Sequence, residues 1–179
     1  MQTPGFNVNR IFSNEKKRGI AENMLERYTG SLRSQFQKQI LLTNFEHYMK
    51  QFKKLTDCKP ATKGSAMSAI HSPKHGVSLV NFNIGAPTCA LIVELLATLE
   101  PKAVLLLGMC GGLHRSLKVG DFILPMAAIR GEGVTNHFLP PEVPSLPTFK
   151  VQKFVSERLV ERGIEYRTGV IHTTDYRFW

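Results

Sequence analysis

Ala103-Val-Leu-Leu-Leu107 runs without a polar break into Gly108-Met-Cys-Gly-Gly112, and Val119-Gly-Asp121 follows shortly after. Five apolar residues in succession read as a strand buried on both faces, the pattern of a central parallel sheet. A glycine-dense loop at the carboxyl end of such a strand lets a ligand approach the backbone closely, with N–H groups free to donate. Upstream, Val77 to Ile84 has strand composition. Gly85-Ala-Pro87 then opens a helix with proline in its first turn, and Thr88 to Glu100 supplies the amphipathic run. Pro101 ends that helix. The stretch is expected to be a right-handed strand–helix–strand crossover. At 179 residues and 42% hydrophobic content, the chain can bury one sizeable core around it.

The flanking segments fit an α/β chain. Met1 to Arg10 is expected to be a flexible start, and Glu15 to Thr29 a helix ended by Gly30 in a left-handed conformation. Ile40-Leu-Leu42 is a short buried strand. Thr43-Asn-Phe-Glu46 has capping-box spacing and predicts a helix that continues through Phe45, Met49 and Phe52 to Lys54. Thr56 to Gly76 reads as a loop or short hairpin. Phe122-Ile-Leu124 and Ala127-Ala-Ile129 read as two strands, and the proline-rich Leu139 to Pro147 as loop. Val151 to Arg162 is a helix stopped by Gly163, and Glu165 to His172 a last strand. The division expected is a helical extension over 1–30 and an α/β domain over 31–179.

Composition narrows the function classes. No apolar run is long enough to span a bilayer and no signal segment opens the chain. Cys58, Cys89 and Cys110 are odd in number and lack metal-ligand spacing, so reduced thiols in a cytoplasm are expected. Cys110 has no partner base assignable from sequence, and a packing or backbone role is preferred to that of a nucleophile. The net charge is +9, and twelve Lys or Arg against five Asp or Glu through Lys63 place +7 of it in the first third. Such a surface concentrates anions. It suits a phosphomonoester, and it suits nucleic acid less, because no stacking-aromatic module or zinc spacing accompanies it. A solvated helical face is the bland alternative.

Asn83-Ile-Gly-Ala-Pro-Thr-Cys89, Pro101 to Leu113 and Val119-Gly-Asp121 together resemble the nucleoside phosphorylase and nucleosidase superfamily. Ala127-Ala-Ile-Arg-Gly-Glu-Gly-Val-Thr135, Leu139 to Pro147 and His172-Thr-Thr-Asp-Tyr-Arg-Phe-Trp179 narrow the resemblance to the branch that hydrolyses AMP to adenine and ribose 5-phosphate. Glu26-Arg-Tyr-Thr-Gly30 and Ile40 to Phe45 resemble the short bacterial form of that branch. The resemblance implies a three-layer α/β/α sandwich around a mixed central sheet, no metal or organic cofactor, and a homo-oligomer whose sites borrow residues from neighbours. It also implies that family members continue beyond Trp179. The continuation carries a Met–Glu pair for the ribose hydroxyls and the aspartate that protonates the purine, so an incomplete catalytic domain lacking its last strands and helices is expected. A purine nucleoside phosphorylase, another purine nucleosidase and a non-catalytic nucleotide-binding fragment are the alternatives.

Cleaving an N-glycosidic bond builds positive charge on the sugar and negative charge on the departing base. It requires a proton or hydrogen bond for the base and a placed nucleophile. Gly108, Met109, Cys110, Gly111 and Gly112 can wall sugar and base through their backbone. In phosphorylase relatives an arginine before this loop and a serine within it bind the attacking phosphate. The matching positions here are Leu106 and Met109, and an apolar side chain cannot bind a dianion, so water is favoured over phosphate. Arg130 is a candidate fork for the 5′-phosphate, and Glu132 a candidate for a ribose hydroxyl or the water, with an Arg–Glu surface pair as the bland reading. His137 resembles a segment that caps a neighbour's site, and Asn44 and His47 match an anion-binding loop, although ordinary loop and helix-start polarity are the preferred readings of these three. Thr174 and Asp175 lie where relatives contact the purine, and Phe178 or Trp179 would stack on it. Asp175 is the candidate acid within the chain, although the resemblance puts the family's acid further on.

Overall fold

The computed structural model describes residues 15–176. The expectations for Met1 to Arg10, and those for Phe178 and Trp179, lie outside the described residues. Two compact units divide at Gly108/Met109.

The first unit is built on a five-stranded mixed sheet. Its strands are β1 (Gln39–Thr43), β2 (Thr62–Lys63), β3 (Ser68–Ser72), β4 (Val77–Asn81) and β5 (Ala103–Leu107). The order is β2-β3-β4-β1-β5, with β1 parallel to both β4 and β5, and β3 antiparallel to β2 and β4. Helices α1 (Glu15–Thr29), α2 (Glu46–Thr56) and α3 (Ala86–Ala97) cover the two faces. Alternation along the strands sorts the side chains between them. Ile40, Leu42, Ala69 and Val80 face Ala21 and Leu25 of α1 and Ile92, Leu95 and Leu96 of α3. Ile70 and Leu79 point the other way, onto Met49 and Phe52 of α2. The unit is thus three layers, helix on sheet on helix, as the α/β/α expectation had it.

α1 is tied to the β2–β3 turn through its last carbonyls, which have no partner within the helix. Ser65 N donates to Arg27 O at 2.9 Å and Met67 N to Tyr28 O at 2.8 Å. The approach requires glycine at 64, where a Cβ would stand 2.3 Å from the Tyr28 carbonyl.

Several local expectations are corrected. β5 is not buried on both faces: it is the edge of this five-stranded sheet, with Val104 38% and Leu106 54% exposed, and β1 lies between it and β4. The Thr43–Glu46 capping box does not form. α2 begins at Glu46 with Phe45 as its cap, and Thr43 Oγ1 instead accepts Phe45 N at 3.2 Å. β4 stops at Asn81 rather than Ile84, because the Asn81 side chain takes Asn83 N at 2.9 Å and Asn83 turns to φ +63°. α3 opens at Ala86 with Gly85 as its cap and Pro87 in its first turn, as expected, but ends at Ala97 rather than Glu100, which turns left-handed before Pro101. Thr56 to Gly76 contains β2 and β3 and is mostly hairpin.

The second unit contains β6 (Phe122–Gly131), α4 (Phe149–Glu161) and β7 (Tyr166–Thr174), with β6 and β7 parallel. The two strands expected at 122–124 and 127–129 are one strand with an irregular register between Pro125 and Ala127. Proline offers no N–H to the ladder there. α4 is docked by Gln152 Nε2 donating to Pro125 O at 2.9 Å and by a 2.6 Å bond between Ser156 Oγ and Tyr166 OH. Leu139 to Pro147 is loop, as expected, with an isolated antiparallel bridge between Ser145 and Ala128 of β6. Among the described residues of this unit the only buried side chain is a carboxylate, Glu132, 4% exposed.

Candidate functional site

Parallel strands in α/β folds present their carboxyl ends to ligands, and the residues singled out from sequence sit at such ends. Residues 108–112 follow β5 as an open loop, with Met109 66% exposed and Cys110 exposed. Gly108 and Gly111 have open space where a Cβ would stand. Leu106 and Met109 are apolar and solvent-facing, so neither position offers a cation or hydroxyl to an attacking phosphate. Further on, Val119-Gly-Asp121 forms a turn. Gly120 takes φ +102°, Asp121 Oδ2 accepts Lys118 N at 3.1 Å, and the same carboxylate lies 3.6 Å from Arg167 Nε on β7.

The paired ends of β6 and β7 bring Arg130, Glu132, Thr174 and Asp175 together, with Arg130 opposite Thr173 and Gly131 opposite Thr174. Asp175 Oδ2 accepts Gly133 N at 3.2 Å, a bond that joins the two strand ends. Thr174 Oγ1 accepts Tyr176 N at 3.3 Å. Arg130 and Glu132 take separate partners rather than pairing with each other. Arg130 Nη1 donates to Thr135 O at 3.0 Å and Leu139 O at 3.2 Å, and Nη2 donates to Pro140 O. Glu132 accepts Thr135 N at 3.0 Å on one oxygen and the Thr135 hydroxyl on the other. Both Nη atoms of the guanidinium that was expected to receive a phosphate therefore engage carbonyls. The sequence reading missed Thr135, the common partner of both charged groups. It also missed His172, whose Nε2 would stand 2.1 Å from a Cβ on residue 131; the Arg130-Gly-Glu-Gly133 spacing was the available signal for that close approach.

His137 ends a short turn at Val134–His137 and is exposed. Asn44 and His47 stand at the β1–α2 junction, where the His47 ring meets Tyr48 edge-on at 5.7 Å. Cys58, Cys89 and Cys110 are free thiols, and burial pushes Cys89 up from the usual thiol range. Among the described residues no three of His, Cys, Asp and Glu gather as a metal site requires, and no helix is long and apolar enough to cross a membrane.

Two further features of the first unit lie at the amino ends of its parallel strands. A recess of about 660 Å³ is lined by Glu22, Glu26, Arg33, Phe36 and Lys38. It opens beside the amino ends of β1 and β5, the wrong end of the sheet for an α/β ligand site. Arg33 there already pairs with Glu22, and Lys38 Nζ with Leu99 O at 2.9 Å. The second is His71 on β3, whose Nδ1 lies 2.8 Å from Ser78 Oγ and Nε2 2.9 Å from Ser31 Oγ. Burial lowers its pKa from 6.5 to about 4.

Comparison with known proteins places this geometry. The family described as Phosphorylase superfamily matches residues 38–179. The AMP nucleosidase of Escherichia coli K12 is 29% identical over 198 residues, covering 87% of this chain and 41% of that protein. The chain thus spans about two fifths of the length of that relative. The crystal structure of AMP nucleosidase from Bacteroides thetaiotaomicron superposes with a TM-score of 0.85 at 43% identity, covering 90% of this chain and 70% of that one. Purine nucleoside phosphorylase from Toxoplasma gondii, 22% identical with a TM-score of 0.73 over 83% of this chain and 62% of that one, shares the fold. A family match over most of the chain, on a mixed-sheet α/β fold with its polar residues at strand carboxyl ends, shows that this chain belongs to the phosphorylase superfamily.

Proposed function

We propose that the protein carrying this chain hydrolyses the N-glycosidic bond of AMP, releasing adenine and ribose 5-phosphate. The supporting observation is similarity to AMP nucleosidases along nearly all of the chain, 43% identity over 90% of it in one case. Leu106 and Met109 support the choice of nucleophile: the resemblance matches them to the phosphate-binding positions of phosphorylases, and both are exposed apolar side chains that cannot hold an anion.

In this reading the loop at 108–112 offers backbone N–H groups and close approach to sugar and base, and Thr174 and Asp175 offer oxygen atoms at the β7 end. As the bond breaks, electrons move to the purine, and a proton or hydrogen bond delivered to the base stabilises the leaving group. Water attacks the sugar carbon that has lost the base and gives up a proton. The substrate's anionic phosphate is drawn by the basic balance of the chain, +9 overall. We extend the proposal to a cytoplasmic homo-oligomer that needs no metal or organic cofactor.

The test is adenine release from AMP with and without inorganic phosphate. Release at an equal rate in both supports hydrolysis. Release that requires phosphate and yields a sugar 1-phosphate supports the phosphorylase alternative. Nucleotide binding without release supports a binding protein.

A further inference from the structure

Arginine receives a phosphate through two parallel N–H bonds from one edge of its guanidinium. At Arg130 no such edge is open. Both Nη atoms face carbonyls of Thr135, Leu139 and Pro140, and Nε is buried, without a hydrogen-bond partner among the described residues. The three carbonyls belong to one excursion of the chain, the segment between the end of β6 and the prolines. Glu132, buried at the start of that excursion, accepts both the amide and the hydroxyl of Thr135. Thr135 is therefore gripped from two sides, by its carbonyl through Arg130 and by its amide and hydroxyl through Glu132. Gly133, between them, donates its N–H to Asp175 Oδ2 at 3.2 Å.

The geometry points to Arg130 and Glu132 as positioning residues: they clamp residues 132–140 into one turn, and that turn fixes the Gly133 N–H that holds the Asp175 carboxylate at the end of β7. Arg130 is not the ligand of the substrate's phosphate. Removing the clamp leaves the phosphate's own contacts in place and releases Asp175. The loss then falls on turnover rather than on the affinity for the phosphorylated sugar. The activity readout rests on the AMP-hydrolysis reading above; the exchange readout does not.

The experiment compares the protein with Arg130→Lys and with the milder Glu132→Gln. A lysine is a point donor on a flexible stem and cannot grip three carbonyls from a plane. Three quantities are measured: kcat and KM for AMP, the Kd of ribose 5-phosphate, and amide hydrogen exchange over 133–139. For Arg130→Lys, kcat should fall about tenfold, with KM and the ribose 5-phosphate Kd within about threefold. Amides of 133–139 should exchange at least about tenfold faster. Glu132→Gln should show the same pattern at smaller size, and it carries the test if Arg130→Lys does not fold. A tenfold weaker Kd for ribose 5-phosphate with unchanged exchange makes Arg130 a phosphate ligand and overturns the inference. If the parent protein releases no adenine, the proposed activity fails. The clamp is then judged by exchange alone: acceleration supports it and unchanged exchange overturns it.

Discussion

His71 makes the stability of the first unit depend on pH, because its hydrogen-bond chain has one workable order. Ser78 Oγ accepts Gln37 N at 2.8 Å and so turns its own proton to His71 Nδ1. Nε2–H then donates to Ser31 Oγ, and the Ser31 hydroxyl to Thr62 Oγ1 at 2.5 Å. The chain ends where Thr62 donates to Thr29 O at 3.0 Å. Every hydroxyl proton has an acceptor only while the imidazole is neutral. Protonating Nδ1 turns an acceptor into a donor and leaves the hydroxyl proton of Ser78, which is 0% exposed, with nowhere to go. The groups at the ring are Ser31, Ser78 and the edge of Phe36 at 4.8 Å, with no carboxylate to favour the cation.

A folded pKa of about 4 against an ordinary 6.5 means that the unfolded chain binds the proton more readily. The contribution is fully present above 6.5 and is lost as pH falls through 6.5 towards 4. At 1.36 kcal/mol per pH unit, the whole interval would amount to about 3 kcal/mol in a dry site. The ring is only part-buried, and water screening reduces this to about half. Between pH 7.5 and 5.0 the expected loss is about 1 kcal/mol. Urea unfolding at pH 7.5, 6.0 and 5.0 measures it. His71→Phe should be less stable at pH 7.5 yet flatter with pH by the same amount. Equal slopes for the two proteins, or an NMR titration placing the His71 ring at or above 6.5, would refute the reasoning.

Glycine substitutions at three sites should separate by what a Cβ would meet. Gly64→Ala drives a methyl into the Tyr28 carbonyl at 2.3 Å and should cost about 2–3 kcal/mol in urea unfolding, since backbone cannot step aside cheaply. Gly19→Ala, inside α1 with nothing within 4 Å, should instead stabilise by about 0.5–1 kcal/mol. Gly131→Ala displaces the His172 ring and crowds Thr173 O at 2.7 Å. It should cost about 1–3 kcal/mol and lower adenine release; unchanged activity with unchanged stability would show that the strand ends relax freely.

Elements of both units were legible where their signals are local. Ile40 to Leu42 and Ala103 to Leu107 are uninterrupted β-type runs, and Gly30 and Gly163 stop helices with positive φ, as their positions suggested. What was not legible depends on pairing. An all-apolar run does not say whether its strand is interior or at an edge, so the two-sided burial expected of β5 is not found at its edge position. Thr43 had two amides within reach of one hydroxyl, and the shorter loop to Phe45 won over the capping box. At the candidate site, sequence spacing brought Arg130, Glu132, Thr174 and Asp175 to strand ends, because parallel strands deliver their carboxyl ends to one side. It could not distribute hydrogen bonds. Thr135, unremarkable in sequence, engages both Arg130 and Glu132, and with Leu139 and Pro140 it supplies the carbonyls that the Arg130 Nη atoms meet. His71 escaped notice for a similar reason: Ser31 lies 40 residues away in the chain, and Ser78 comes opposite it only once β3 and β4 pair.

The central claim is that AMP is cleaved by water. Phosphorus NMR of the protein incubated with AMP in phosphate buffer tests it most directly. The account predicts that the AMP resonance gives way to ribose 5-phosphate alone, with inorganic phosphate unchanged and adenine appearing in equal amount. Consumption of inorganic phosphate together with a new sugar 1-phosphate resonance would contradict it.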